Sequence, residues 1–394
     1  MKKAYLLIIA AASVLLSCSK VGPEHSDPNA WMYDESLPVP IMMNTPGAET
    51  MTKSSVEDLS DIKQIGVFGL DRSENQPGWK SSGSFPNISS ILLNNQKATV
   101  NSDGSINFDG ETKYYPLSGT NSYDFYAYYP YKEAGSGLSC YDSSTATSYY
   151  TVTYSIGNTD ILWAKAANDG FTYTEDGQQK VIAGYNAAYI RKVTNNTQSD
   201  ERKKYLPNFE FKHMLTSLKF KLQATEEDAK GLDAANAVIT GLTIKNTFNQ
   251  ATLVVADKAA EANEEGTLKT KDGGDTYSIS LKDASGNATF SIKMSDGTLQ
   301  DGKYVVEFGD GLMLVPNPSK GYFEGKLHIK IGDITQDIDL KFTDPNSEGG
   351  KNFDAGYRYT FSIVVKDPEA VEAYATLNSW TDATEGDITI DQFD

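Results

Sequence analysis

Short stretches with the composition of β-strands recur along almost the whole chain, and they constrain the fold more than any other feature. They are separated by turn sequences such as Asp-Gly and Gly-Asn and lie about ten residues apart. They include IKQIGVFGL, SINF, YYTVTYSI, ILWAK, AAYIRKV, NFEF, LTSLKFKL, ATLVVA, ATFSIKM, KLHIKI, DIDLKF and YRYTFSIVVK. Only TEEDAKGLDAANA and DKAAEANEEG suggest short exposed helices, and both could equally be solvated loops. The pattern predicts an all-β fold of antiparallel β-sandwiches.

One of these stretches, YDFYAYYPY at residues 123–131, contains six aromatic rings in nine residues. With the strand period of two, Tyr123, Phe125 and Ala127 share one face, whereas Tyr126 and Tyr128 lie on the other. A platform that stacks sugars or bases would have one aromatic face and one polar face. We therefore predict a strand that is buried on both faces.

The chain has 394 residues, enough for two or three domains with separate cores. The polar stretch TNNTQSDERKKY, residues 194–205, precedes a new series of strands. We predict an N-terminal domain over residues 38–205 and a C-terminal domain over residues 206–394. The two halves show no sequence repeat.

The beginning of the chain has the pattern of a signal peptide, with Lys2 and Lys3 followed by a short apolar run. Residues 1–17 are therefore predicted to be removed, and neither this run nor any later one is long enough to span a bilayer as a helix. LLSC, which ends at Cys18, resembles the lipobox of bacterial lipoproteins. Acylation of Cys18 would leave Cys140 without a disulfide partner. Residues 18–37 are predicted to be a tether.

The formal net charge is −18, and it becomes −20 when the two lysines of the signal peptide are removed. Such a surface repels phosphate backbones. Nucleic acid is therefore excluded as a partner, and the charge is expected to keep an exported protein soluble.

The sequence offers little for catalysis or metal binding. It has three histidines and lacks HExxH, CxxC, P-loop and GxGxxG motifs. His213 is predicted to be structural, and His328, which alternates with Leu327 and Ile329, is predicted to face solvent. Carboxylates are plentiful, but none stands out as a catalytic pair. We predict no enzymatic activity, no metal site and no cofactor.

Several segments, in this order, resemble the fimbrillin-like proteins of Bacteroidales, the subunits of type V pili. They are PIMMNTPGAETMTKSS, YYPLSGTNSYDFYAYYP, DILWAKA, FEFKHMLTSLKFKL, AGYRYTFSIVV and LNSWTDATEGDITI. The resemblance implies two tandem antiparallel β-sandwich domains of Greek-key, transthyretin-like type. It also implies an outer-membrane lipoprotein that becomes part of a cell-surface pilus, with other pilin subunits, membrane lipid, a trypsin-like protease and a host or bacterial surface receptor as partners.

In this family a protease removes an N-terminal strand so that subunits can exchange strands. Here residues 38–53 correspond to the removable strand, with the cut between Lys53 and Ser54. Lys53 follows Thr52, whereas the family usually has arginine after threonine. The segment TPGAETMTKSS is rich in Pro, Gly, Thr and Ser, as protease-sensitive loops are.

Subunits of the family donate a strand from the C-terminus, which places the donor in residues 372–394. Its expected anchoring side chains are Leu377, Trp380, Ile388 and Ile390. The same residues could instead be the last strands of the C-terminal sandwich. The position of the subunit at the shaft, tip or base of a pilus therefore stays open.

Two other classes of function compete with a pilus subunit. A surface lipoprotein that binds glycans could use exposed aromatic rings, and Trp79 in the loop sequence NQPGWKSSGSFPN is the best candidate. A secreted hydrolase is the third class.

Overall fold

The computed structural model describes residues 27, 29–45, 62–72, 91–117, 121–140, 149–198, 201–257, 264–270, 277–344, 353–367 and 370–379. These residues form mostly antiparallel sheets, which confirms the all-β fold predicted from the sequence. No helix within these ranges is both long and apolar enough to cross a membrane.

A seven-stranded antiparallel sheet, here called the first sheet, is built from the first half of the chain and the two-residue strand β11. From one edge to the other its strands are β1 (Met43–Asn44), β4 (Ser105–Phe108), β3 (Ile91–Val100), β2 (Gln64–Asp71), β5 (Tyr123–Tyr129), β8 (Leu162–Ala166) and β11 (Lys212–His213). Beside it lies a hairpin of β9 (Phe171–Glu175) and β10 (Gln178–Ile182).

The aromatic stretch forms β5, near the middle of the first sheet, and both of its faces are buried as predicted. Tyr123, Phe125 and Ala127 belong to one hydrophobic cluster. Tyr126 and Tyr128 belong to a second cluster on the opposite face. The rings are therefore part of two cores and do not form a binding platform.

The second half of the chain forms a sandwich of two sheets. The larger sheet has the order β17 (Thr298–Gln300), β18 (Lys303–Glu307), β12 (Thr216–Thr225), β22 (Tyr357–Asp367) and β23 (Ala370–Ser379), with β19 (Leu312–Leu314) also paired to β12. The facing sheet has the order β16 (Tyr277–Ser280), β13 (Ala237–Thr247), β20 (Tyr322–Ile331) and β21 (Ile334–Thr343). Rings from the two sheets meet in the core, with Phe342 lying 5.4 Å from Phe220 and 4.8 Å from Phe361 between centroids. Only β12 and β22 pair in parallel among these strands.

A further four-stranded sheet takes strands from both sides of the predicted boundary near residue 205. It consists of β6 (Leu138–Cys140), β7 (Tyr149–Ser155), β14 (Gln250–Asp257) and β15 (Thr267–Thr270). The sheet packs on the first sheet, where the Tyr150 and Phe68 rings are 4.5 Å apart and the Trp163 indole N–H donates to the Val255 carbonyl at 2.9 Å. The two halves of the chain therefore share a sheet and a core.

The structure corrects the strand prediction for AAYIRKV, which lies in helix α1 (Ala187–Asn196). The Asn186 side chain caps this helix by accepting a hydrogen bond from the Tyr189 N–H. TEEDAKGLDAANA, for which the sequence left helix and loop open, contains the helix α2 (Glu226–Ala234). NFEF and ATFSIKM form isolated bridges at Asn208 and Ile292 and no strand. Within the described ranges, short 3-10 helices span Ala30–Met32, Arg202–Tyr205 and Met294–Asp296.

The close packing of β2 against β5 gives a test of the fold. Gly66 lies opposite Tyr128, and a Cβ at Gly66 would approach the Tyr128 ring to 2.2 Å. We expect Gly66→Ala to lower the free energy of unfolding by about 1–3 kcal/mol, because the buried ring has no room to move aside.

The matched control is Gly231→Ala in α2, where nothing lies within 4 Å of the added methyl group. That change should raise the free energy of unfolding by about 0.5–1 kcal/mol, because alanine favours a helix. Urea unfolding midpoints measure both effects. Similar midpoints for the two variants would contradict the packing described between β2 and β5.

Candidate functional site

The N-terminal segment, residues 29–45, completes one edge of the first sheet. The side chains of Val39, Ile41, Met43 and Thr45 alternate along it and are all buried, whereas the residues between them are partly exposed. The first three belong to the cluster that also contains Phe125. The segment therefore acts as an edge strand whose apolar face closes the core of the first sheet.

Backbone hydrogen bonds hold this segment on both sides. On one side the Ile41 N–H donates to Lys113 O at 2.8 Å, and the Thr45 N–H donates to Gly104 O at 2.9 Å. On the other side the Asn44 N–H donates to Pro207 O at 3.0 Å, and Asn44 O accepts from the Phe209 N–H at 2.9 Å. The segment thus lies in a groove between residues 104–115 and residues 207–209. We call this cleft the groove.

The groove is not completely filled by the segment. A cavity of about 470 Å³ lies beside residues 40–44 and is also lined by Phe108, Lys203 and Leu206. The wall of the cavity contains apolar side chains and the ammonium group of Lys203.

The upstream part of the N-terminal segment is anchored on helix α1. Trp31, in the 3-10 helix Ala30–Met32, is buried in the same cluster as Ile190 and Val193 of α1. The predicted tether, residues 18–37, overlaps with this part of the chain. In the structure residues 29–37 pack against α1 and do not stand apart from the body.

Among the described residues, the hydrogen bonds that Arg191 of α1 makes to this anchored part all go to main-chain carbonyl groups. Its Nε donates to Trp31 O at 3.0 Å, and its Nη2 donates to Leu37 O at 2.6 Å. Longer hydrogen bonds from Nη2 reach the carbonyls of Asp34 at 3.4 Å and Glu35 at 3.3 Å. One guanidinium group therefore holds a turn of the N-terminal segment in place.

Sequence reasoning did not identify Arg191, because AAYIRKV was interpreted as a strand. A local signal was present in Asn186, a good helix-capping residue directly before the run. The carbonyl partners of Arg191 lie about 150 residues earlier in the chain, and no sequence motif reveals a contact of this kind.

Most site residues predicted from the sequence lie outside the described ranges. These are Cys18, Lys53, Ser54, Trp380, Ile388 and Ile390. Trp79, the candidate for glycan binding, also lies outside them. Leu377 lies in β23, where its backbone pairs with Tyr359 of β22. The first part of the predicted donor, up to Ser379, is therefore paired within its own subunit in this structure.

The two histidines of the body make structural contacts. His213 Nδ1 lies 2.6 Å from Asp160 Oδ2, and both side chains are buried. His328 is partly buried between Asp337 at 2.7 Å and Thr243 at 3.0 Å, so it is less open to solvent than its alternation with Leu327 and Ile329 predicts. Within the described ranges no group of three or more His, Cys, Asp or Glu side chains could hold a metal ion.

Comparison with solved structures shows similarity to proteins from several Bacteroides species. A candidate cell adhesion protein from Bacteroides uniformis has a TM-score of 0.45 and 19% sequence identity, and the match covers 88% of this chain and 99% of that chain. A candidate cell adhesion protein from Bacteroides eggerthii has a TM-score of 0.43 and 11% identity, with 87% and 96% covered. A candidate adhesin from Bacteroides thetaiotaomicron has a TM-score of 0.35 and 10% identity, with 87% and 98% covered.

A search of curated protein sequences gave no significant match. The family model described as fimbrillin-like matches residues 52–380, which is most of the chain. The chain therefore belongs to the fimbrillin-like family.

Proposed function

We propose that this protein is a structural, adhesive subunit of a pilus, exported as a lipoprotein and assembled by strand exchange after a protease cut. Membership of the fimbrillin-like family supports a pilus or adhesin subunit at the cell surface. The observation that carries the mechanism is the N-terminal segment itself. Its strand β1 (Met43–Asn44) lies at the edge of the first sheet, alternate side chains of residues 39–45 are buried, and it precedes every other strand of the described ranges.

Such a strand can be exchanged only if its connection to the body is cut. While residues 46–61 join it to β2, its effective concentration at the groove is roughly millimolar, which a strand from another subunit can hardly match. After a cut at Lys53 the released segment can diffuse away. Its concentration then becomes so low that it does not rebind to the groove. We infer that a trypsin-like protease performs this step at the cell surface.

Leaving the groove empty would cost free energy. Val39, Ile41 and Met43 each contribute roughly 1.5–3 kcal/mol of gross stabilisation on burial, and loss of the segment also exposes the partners of its backbone hydrogen bonds. An open, apolar sheet edge is a ready template for another strand. The vacated groove would therefore bind a donor from a neighbouring subunit.

The proposed donor lies in residues 380–394, with Trp380, Ile388 and Ile390 as inserting side chains. Residues 370–379 form β23 and pair with β22, so this part is already used within the subunit. The donor would leave directly from the last strand of the C-terminal sandwich. Before cleavage, acylated Cys18 would anchor the subunit in the outer membrane, with the stability that more than one lipid chain provides.

The lipid anchor gives the first test of this proposal. We expect Cys18→Ala to abolish incorporation of labelled palmitate in cells and to leave the signal peptide unprocessed or release the protein from the membrane. Cys140→Ala, which keeps Cys18 as the remaining cysteine, is the control and should still incorporate the label. Equal labelling of the Cys18 variant would show that the lipid is attached elsewhere or absent.

Mild trypsin treatment tests the cut. We expect cleavage after Lys53 before cleavage at most other basic residues, and N-terminal sequencing of the stable product should begin at Ser54. In Lys53→Gln this product should be delayed, while the rest of the digestion pattern stays the same. A stable core that still begins upstream of residue 50 would mean that the N-terminal segment stays permanently in place.

Assembly of cleaved subunits tests the donor. A variant that lacks residues 380–394 should accept a donor but be unable to give one, so it should shorten the polymer ladder of intact cleaved subunits on unheated detergent gels. Ile388→Asp should weaken the same joint, because a carboxylate in a dry groove is costly. Thr389→Asp is the control, because successive side chains of a strand point to opposite faces. This change should leave the joint intact.

Electron microscopy of the same samples separates the competing functions. Polymers formed as readily by the truncated protein would exclude residues 380–394 as the donor. A cleaved intact protein that stays monomeric would instead favour the surface glycan-binding lipoprotein.

A further inference from the structure

Two arginines that touch the N-terminal segment lack a carboxylate partner within the described part of the chain. Arg191 is held by main-chain carbonyls, as described above. Arg202 has its Nη1 4.0 Å from the Met32 thioether, and its Nε is buried with no hydrogen-bond partner among these residues. Hydrogen bonds of arginine to carboxylates are roughly twice as strong as those between neutral groups. The N-terminal segment therefore satisfies Arg202 poorly, whereas it supplies Arg191 with four carbonyl oxygens.

Neighbouring lysines differ in whether they are already paired. Glu175 accepts hydrogen bonds from Lys180 and Lys192, which hold the pKa of its carboxyl at about 2. Lys204 is paired with Glu201 at 3.2 Å.

Lys203 makes no ion pair with a described carboxylate. It lines the cavity beside the segment. Hydrogen bonds from Ser105, with a smaller contribution from Lys203, lower the pKa of Asp103. Arg202 and Lys203, neighbours in the 3-10 helix Arg202–Tyr205, together form what we call the basic rim of the groove.

The proposed donor has the complementary charge. Residues 380–394 contain five acidic residues and no basic one, although the chain as a whole has 35 basic residues against 53 acidic ones. The N-terminal segment carries acidic side chains at Asp34 and Glu35, and Asp34 Oδ1 already accepts hydrogen bonds from Ser36. The proposed donor thus carries five side-chain carboxylates, whereas the N-terminal segment carries two and offers Arg202 a thioether.

We propose that the basic rim selects the acidic segment of residues 380–394 from a second copy of this chain in preference to the N-terminal segment. This inference rests on the proposed strand exchange. It explains why the exchange favours the donor over the N-terminal segment. The apolar side chains of either strand can fill the groove, whereas only the acidic donor also pairs with the basic rim. Attraction between the rim and the donor also speeds their encounter, and salt screens it.

The test uses two fluorescent peptides and the full-length protein after the trypsin cut, at concentrations too low for self-assembly. One peptide has the sequence of residues 380–394, and the other has amides in place of its five carboxylates. We expect the acidic peptide to bind about tenfold more tightly at low ionic strength, and we expect this difference to shrink several-fold in about 0.5 M salt.

Variants of the protein show which residues cause the preference for the acidic peptide. Arg202→Gln should weaken binding of the acidic peptide about three- to tenfold and leave binding of the amide peptide unchanged. Lys204→Gln, in the same 3-10 helix but at a residue already paired with Glu201, should change neither. Lys203→Gln, at the other residue of the basic rim, should have the same effect as Arg202→Gln. Because the amide peptide reports an intact groove in every variant, a folding defect is distinguished from loss of the ion pair.

Equal affinity of the two peptides, with the same response to Arg202→Gln, would overturn the selection by the basic rim and leave strand exchange intact. Failure of both peptides to bind cleaved protein would overturn the proposed donor itself, and with it this inference.

Discussion

The burial of strand β5 on both faces is the constraint on which the rest of the first half depends. Its large rings point in alternation to opposite sides of the first sheet, so each side needs an apolar cover. The sheet β6–β7–β14–β15 covers one side, and the N-terminal segment with helix α1 covers the other. Because two of the four covering strands come from the second half of the chain, the two halves are joined through a common core.

The N-terminal segment consequently has two roles in the structure. It supplies apolar side chains to a core, and it pairs with backbone groups that would otherwise form an open edge. Loss of such a strand would expose an apolar edge with unpaired backbone groups, and this cost is the physical basis of the strand exchange proposed above.

The two kinds of contact in the groove differ in what they recognise. Arg191 binds main-chain carbonyls, which every segment possesses, so this contact holds a backbone geometry and is indifferent to the sequence. The buried positions of Val39, Ile41 and Met43 accept apolar side chains of suitable size. Neither kind of contact distinguishes one apolar strand from another, which is why the proposed selection is assigned to charge at the basic rim.

The sequence by itself determined the fold class and the burial of β5, because the period of two is a local property and strongly apolar faces admit one interpretation. It did not determine α1, since AAYIRKV is too short for its period to separate helix from strand, and the cap at Asn186 with packing on Trp31 decided the outcome. Nor could it show the pairing of β7 with β14 or the clamp by Arg191 on residues 31–37. Those contacts join residues about 100 or more positions apart, and only the tertiary structure decided them, because burial of the whole core selects partners that no local pattern encodes.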